Sequence, residues 1–439
     1  MQDASALVNA HFLRHLAKLA TEEEVSATED VYSSNGIKLV GKGTRISEGI
    51  YERIVSHKLM KPLEGSIRVG EPVTGDTLRS TAELLLDSSP SLTRLLSHGA
   101  STETTLSVVK RAHFGEQAGS LLKLHEARLP QSLSHGVLVG LLSMGMMKRL
   151  RPGDANTLDN LIIASIFHDI GELYIDPALH ASRTTPLSLE EWRQMAAHPA
   201  IGHAVLKNMN GIAPAVAEMV LDHHERLDGG GYPQGRRQGN LSEGGQVLGV
   251  AEALSQFVGR HAEPFAYAEI ALKIIPGEFS HAIIDVVAAC REELRTAHVL
   301  QNEIDGQAEA KPSPDFQSGM SGLFTKIGKV CETMASIEQQ ACAQRPAVKR
   351  LLEDCKQRFE RITRAISSTG LDIALSGMEL NEADTAELQQ IRLEFDATLS
   401  EVRWRMTELS RRLNQQCLSL PEAESACLRP LIETLSLLV

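Results

Sequence analysis

With 439 residues the chain has room for about two to four domains, at roughly 100–200 residues each. Its formal charge of −12, with both signs mixed along the sequence, argues against nucleic acid or an anionic membrane as the default partner. Hydrophobic residues make up 42% and aromatics 4%, which is enough for ordinary cores; the plentiful Leu, Ala and Glu lean towards helix.

Met1 to Ala10 lacks a basic start leading into an apolar run, so no secretory leader is expected and a cytoplasmic protein is the default. "DVYSSNGIKLVGKGTRI" then alternates like a strand, with Asn35-Gly36 as a tight hairpin turn. A short helix follows, with Ser47 as its N-cap and Ile50, Ile54 and Val55 on one face. From Asp76 to Leu129 the pattern is helical, broken at Ser88–Pro90 and His98–Ser101. Residues 1–125 therefore read as an α+β and helical module of unknown role, a small sensory or packing module.

Residues 126–300 read as a run of helices with unusually apolar faces. The most apolar stretch, Gly136–Met147, is shorter than the ~20 residues of a membrane span, and its Gly136 and Gly140 predict close helix packing. Ser188 with Glu191 forms a capping box, and His198-Pro199 opens a further helix. Another is expected over Pro214–Leu227, ending at the glycine-rich turn Asp228–Pro233. Residues 301–322 are rich in Gly, Pro, Ser and Asp and read as a linker. Beyond it, Leu352, Cys355, Phe359, Ile362 and Ile366 form one heptad-like seam. Ile391, Phe395, Leu399, Val402, Met406, Leu409 and Leu413 form another. Residues 323–439 are thus either a helical hairpin or bundle with its own core or a coiled-coil homodimer. The six cysteines, at 290, 331, 342, 355, 417 and 427, include no CxxC and are expected to be reduced, mostly packed thiols.

Most of the chemistry lies in the middle region, where His135, His168, Asp169, His198, His223 and His224 sit on or at the ends of apolar helices. One such histidine is more often a satisfied core residue than a ligand. Burying all of them without partners would cost kilocalories each. A shared divalent metal removes that cost, because neutral imidazole and ionised carboxylate are what it binds. Adjacent residues such as His168 and Asp169 point about 100° apart on a helix and can serve two neighbouring metals, the carboxylate bridging. Nitrogen and oxygen donors without thiolate favour iron, manganese, zinc or similar ions over a cysteine-type structural zinc site. Two metals about 3.5–4 Å apart would suit phosphoester hydrolysis by in-line attack.

The motifs "HDIGE" (His168–Glu172), "HPAIG" (His198–Gly202) and "HHERLDGGGYP" (His223–Pro233), in this order, resemble the HD-GYP domain. That domain is the branch of the HD superfamily of metal-dependent phosphohydrolases that hydrolyses cyclic di-GMP, and the resemblance covers roughly Pro130 to Cys290. It implies a mainly α chain whose all-helical HD-type domain surrounds a bi- or trinuclear site. The metal ligands it implies are His135, His168, Asp169, His198, His223, His224 and Glu252, with Asp169 as the catalytic bridge between two divalent ions. Iron or manganese is foremost, with zinc, magnesium or nickel as alternatives. Gly231, Tyr232 and Pro233 shape the site and offer a surface to protein partners.

Four positions depart from the family pattern. Glu172 replaces the lysine that reaches the substrate phosphate. Glu252 stands where an aspartate is usual, and Gln131 where trinuclear members carry a glutamate, which favours two metals. Ser255 replaces a second aspartate. Arg236, Arg237 and Arg260 are left to meet the charge of cyclic di-GMP, although the first two also read as a solvated loop. Glu172 either ligates a metal, orients a ligand imidazole, or faces solvent if the helix ends at Gly171. The expected function is hydrolysis of cyclic di-GMP to pGpG or GMP; the alternative is a catalytically lapsed module that binds metal, nucleotide or a partner protein.

Overall fold

A computed structural model describes residues 2–96, 101–181, 187–260, 263–305, 316–368 and 385–437. The chain divides into two compact units. One comprises Met1–Phe265 with Gly277–Leu294, and the other Ala266–Pro276 with Arg295–Val439.

The first unit opens with α1 (Gln2–Leu19) and two small antiparallel ladders. β1 (Val25–Ala27) pairs with β4 (Ile67–Val69), and β2 (Val31–Tyr32) with β3 (Lys38–Val40). Gly36, at φ +79°, makes the turn between β2 and β3 that Asn35-Gly36 predicts. In α2 (Glu48–Val55) Ile54 is buried but Val55 is 50% exposed, so Val55 lies off the expected apolar face. Ser47 stands at the N-cap without making a side-chain capping bond. The helices α3 (Gly75–Ser88), α4 (Pro90–Leu96), α5 (Thr102–Lys110) and α6 (Glu116–Arg128) follow, interrupted near the predicted breaks.

The site is built on the next group of helices. These are α7 (Ser132–Leu150), α8 (Ala155–Phe167), α9 (Ala178–Ala181), α10 (Leu189–Met195), α11 (His198–Leu206), α12 (Pro214–Asp222) and α13 (Glu243–Ser255). α7 and α8 pack directly because Gly136 has no side chain: a Cβ there would lie 3.0 Å from the carbonyl oxygen of Ile166. The glycine spacing therefore marks helix packing within the unit. The capping box Ser188–Glu191 forms at the start of α10, and Pro199 sits in the first turn of α11. α12 stops five residues short of the expected Leu227. The Leu227 N–H bonds instead to the Glu278 carbonyl at 2.9 Å, which draws the chain out of the helix.

The helix α14 (Pro264–Lys273) passes from one unit to the other, as does α15 (His281–Asp305). The second unit also holds α16 (Phe316–Glu338), α17 (Pro346–Ser368), α18 (Thr385–Cys417) and α19 (Glu422–Ser436). Leu352, Cys355, Phe359 and Ile362 share one core with Val402, Met406, Leu409 and Leu413, together with Val330, Leu428 and Leu431. The two seams thus meet within the chain as a helical bundle. The side chains of Ile366, Ile391 and Phe395 fall outside the described residues. The linker reading also narrows. Gln301–Asp305 belong to α15 and residues 316–322 to α16, while 306–315 lie outside the described residues.

The cysteine expectation needs one correction. Cys342 and Cys427 form a disulfide, because the bundle brings two residues 85 apart in sequence to a Cα separation of 6.3 Å. Cys290, Cys355 and Cys417 are free and buried, and Cys331 is free and exposed. Among the described residues no helix is long and apolar enough to cross a membrane.

Candidate metal centre

The His-Asp pair straddles the end of a helix. α8 is N-capped by Asp154, whose carboxylate accepts from the Thr157 N–H at 3.1 Å, and then runs apolar to Phe167. His168 is its C-cap, and the chain tightens into a 3₁₀ turn over Ile170–Tyr174. The turn exists because Gly171 packs on the start of α11: a Cβ on Gly171 would sit 2.0 Å from the His198 carbonyl oxygen. "IFHDIGELYI" is therefore not one continuous buried helix.

Three histidines are oriented the same way. The Nδ1 of His168, His198 and His223 bonds to the carbonyl three residues earlier, on Ser165, Met195 and Val220, at 2.6, 2.7 and 2.6 Å. A carbonyl only accepts, so each Nδ1 carries the proton and each neutral ring points a bare Nε2 inward. These Nε2 atoms converge on Asp169. Its Oδ2 lies 3.1 Å from His168 and 3.7 Å from His135, while Oδ1 lies 3.4 Å from His198 and 3.8 Å from His223. Glu252, on α13, puts Oε2 at 3.0 Å from His135 and 3.3 Å from His168. His224 completes the other side, its ring 4.1 Å from that of His223 and 5.1 Å from that of His198.

The electrostatics follow the two carboxylates. Burial opposes charge on His168 and His198, yet Asp169 outweighs it and raises both; Glu252 does the same for His135. His223 and His224 are pushed down, His223 to about 3, by burial and by the neighbouring imidazoles. Burial favours protonated Asp169 and Glu252, but the facing imidazoles hold both below the usual carboxylate range.

This donor set fits divalent metal. Asp169, His198, His223 and His224 present ligand atoms within 4.8 Å of one another, and so do His135, His168 and Asp169. Asp169 belongs to both groups. His168 Nε2 and Glu252 Oε2 are buried without a hydrogen-bond partner, although only 3.3 Å apart: with the His168 proton on Nδ1, both atoms are acceptors. A cation would satisfy both atoms.

The other predicted positions fall as follows. Glu172 lies in the 3₁₀ turn with Oε2 3.9 Å from Nε2 of buried His125, and it belongs to neither ligand group. Gln131 begins α7 in the left-handed conformation, φ +79°, with its side chain exposed. The Ser255 hydroxyl donates to the Glu252 carbonyl at 2.7 Å. Arg236 is engaged by Asp222 at 2.7 Å and Glu218 at 3.3 Å, which differs from the free phosphate contact or solvated loop expected of it. The Arg237 backbone bridges to Asp228, and Arg260 is exposed beyond the end of α13. Gly231 lies against the His224 backbone, and Tyr232 stacks on the His224 ring at 4.6 Å. The Tyr232–Pro233 bond is cis.

Sequence reasoning missed the residues that hold this loop. Buried Glu225 accepts from the N–H groups of Gln234 and Arg236 at 2.7 and 2.9 Å. Asp222 accepts from Arg236 and from both the N–H and the hydroxyl of Ser242, the N-cap of α13. Both acids flank the His223-His224 pair, and that placement was the available signal.

The HD domain family matches residues 120–281. A cyclic di-GMP phosphodiesterase of Thermotoga maritima is 26% identical over 188 residues, 42% of this chain and 50% of the relative. The cyclic di-GMP phosphodiesterase PA4108 of Pseudomonas aeruginosa is 30% identical over 125 residues, 28% of this chain and 30% of its own. A 3'3'-cGAMP-specific phosphodiesterase of Vibrio cholerae is 29% identical over 130 residues, 30% of this chain and 28% of its own. The chain thus spans half or less of the length of these relatives.

Proposed function

Because this chain is an HD-GYP domain protein, we propose that it is a metal-dependent phosphodiesterase that hydrolyses cyclic di-GMP to linear pGpG or GMP. The observation that carries this reading is the division of Asp169, whose two oxygens face two different pairs of imidazoles. A carboxylate so placed suits a bridge between two cations. Two divalent ions, iron or manganese foremost, would supply an activated water and a clamp on a phosphoryl oxygen.

The residues of the chain do the rest. His198, His223 and His224 would hold one ion, and His135, His168 and Glu252 the other, with Asp169 shared. The bonds from Nδ1 to backbone carbonyls fix the rings and make each Nε2 a stronger donor. Tyr232 stacks on the His224 ring. With Arg236 engaged by Asp222, the exposed Arg237 and Arg260 are the proposed contacts for substrate phosphate. A second-messenger substrate of this kind would fit a cytoplasmic activity.

The test is to load the purified full chain with Fe(II) or Mn(II) and follow cyclic di-GMP and 3'3'-cGAMP by chromatography. Conversion of cyclic di-GMP to a linear product supports the reading. No turnover at about two metals per chain overturns it.

A further inference from the structure

Trp192 stands one aromatic layer out from the candidate metal centre. Its ring meets that of Tyr232 edge to face, with centroids 5.2 Å apart, and Tyr232 stacks in turn on His224 at 4.6 Å. The Tyr232 ring is also 6.4 Å from that of His198. Yet α10, which carries Trp192, buries none of its residues. The helix is placed by other means. The Ser188–Glu191 capping box fixes its start, and the carbonyl of Met195, its last residue, accepts the Nδ1 proton of the candidate ligand His198. Trp192 is only part-buried, so some of its indole stays at the surface. Here it stands part-exposed beside the polar cluster of candidate metal ligands.

The geometry points to Trp192 as a base-stacking platform: the purine of a nucleotide whose phosphate lies at the cluster rests against the indole, beside Tyr232. This rests on the nucleotide reading above and adds which part of the substrate is held by an apolar face. Stacking reads no hydrogen-bond pattern, because every base has a π face. The platform therefore accepts guanine and adenine alike.

The test uses the metal-loaded full chain in a Trp404→Phe background. The sequence has two tryptophans, so Trp192 becomes the remaining one. Cyclic di-GMP and 3'3'-cGAMP each quench the indole emission, and inorganic phosphate at the same concentration does not. Trp192→Ala raises KM for both dinucleotides about tenfold with kcat within about twofold, and Trp192→Phe recovers most of the loss. An unchanged KM in Trp192→Ala, or an emission that ignores both dinucleotides, overturns the platform and leaves the hydrolase reading standing. A joint fall in kcat and metal content also overturns it, since Trp192 would then act by holding Tyr232 and His224. A wild-type chain that cleaves neither dinucleotide removes the hydrolase reading, and the fluorescence titration then decides the platform alone.

Discussion

The Nε2 atoms of His198 and His223 lie 3.2 Å apart, and each ring is bonded through Nδ1 to a backbone carbonyl. In their neutral forms two lone pairs face each other across that gap. Only a cation or a shared proton makes the contact favourable. The arrangement is held by the ends of α11 and α12, so the two atoms cannot drift apart without moving helices.

Asp169 is the test of sharing. Asp169→Asn keeps the shape and removes the charge that both imidazole pairs face. Bound metal falls from about two per chain to one or none, and turnover drops by at least about 100-fold. Elemental analysis of the purified variant beside the wild type checks it. Full metal content in the variant would show that the carboxylate is not a bridge.

Metal and protons compete for the same nitrogens. In the metal-free protein, burial opposes charge on His168, but Asp169 and Glu252 raise its affinity for a proton, and His135 and His198 shift the same way. A raised pKa gives stability that is present at low pH and lost as pH climbs through it. The lowered His223 and His224 act with the opposite sign, but their contribution is complete once the unfolded imidazole has lost its proton near pH 6.5, so the chelated protein weakens above that range. The metal-loaded protein gains over the same window, because metal displaces those protons. Melting temperatures with Mn(II) and with chelator therefore diverge as pH rises from 6 to 8. At about 100 times Kd the metal adds roughly 2.7 kcal/mol.

Arg236 and Arg237 are adjacent in sequence, but Arg236 is engaged by Asp222 while Arg237 is exposed. Arg236→Ala leaves the buried Asp222 carboxylate without its 2.7 Å partner and loosens the loop between α12 and α13. It costs roughly 2–4 kcal/mol of stability in denaturant unfolding. Arg237→Ala changes stability by less than about 0.5 kcal/mol and raises KM. The reverse pattern would return Arg236 to the substrate.

Gly171 tests the contact between the 3₁₀ turn and α11. Gly171→Ala puts a methyl 2.0 Å from the His198 carbonyl oxygen, and the backbone must move to admit it. The expected result is a loss of about 1–3 kcal/mol or more, with weaker metal uptake because His198 moves with the turn. Gly140→Ala, whose nearest contact would be an ordinary 3.6 Å, is the control and stays close to wild type.

The sequence alone made the helical middle region and its chemistry legible. Apolar runs interrupted by His, Asp and Glu stand out because burying such groups unpaired is costly, and the capping box, the Asn35-Gly36 turn and the packing glycines are local signals. The long GYP motif did the same for the family. Contacts between distant segments were not legible. Where α8 stops is set by Gly171 meeting His198, and the end of α12 by Leu227 bonding to Glu278. Arg236 looked like a phosphate contact until Asp222, at the end of α12 and 14 residues earlier, engaged it. Cys342 and Cys427 carry no spacing signature because the bundle alone brings them together. Residue types and their periods are written along the chain, so the sequence determined which groups had to be buried and what they could bind. Which Nε2 faces which oxygen depends on packing between segments far apart in sequence, and only the tertiary structure decided it.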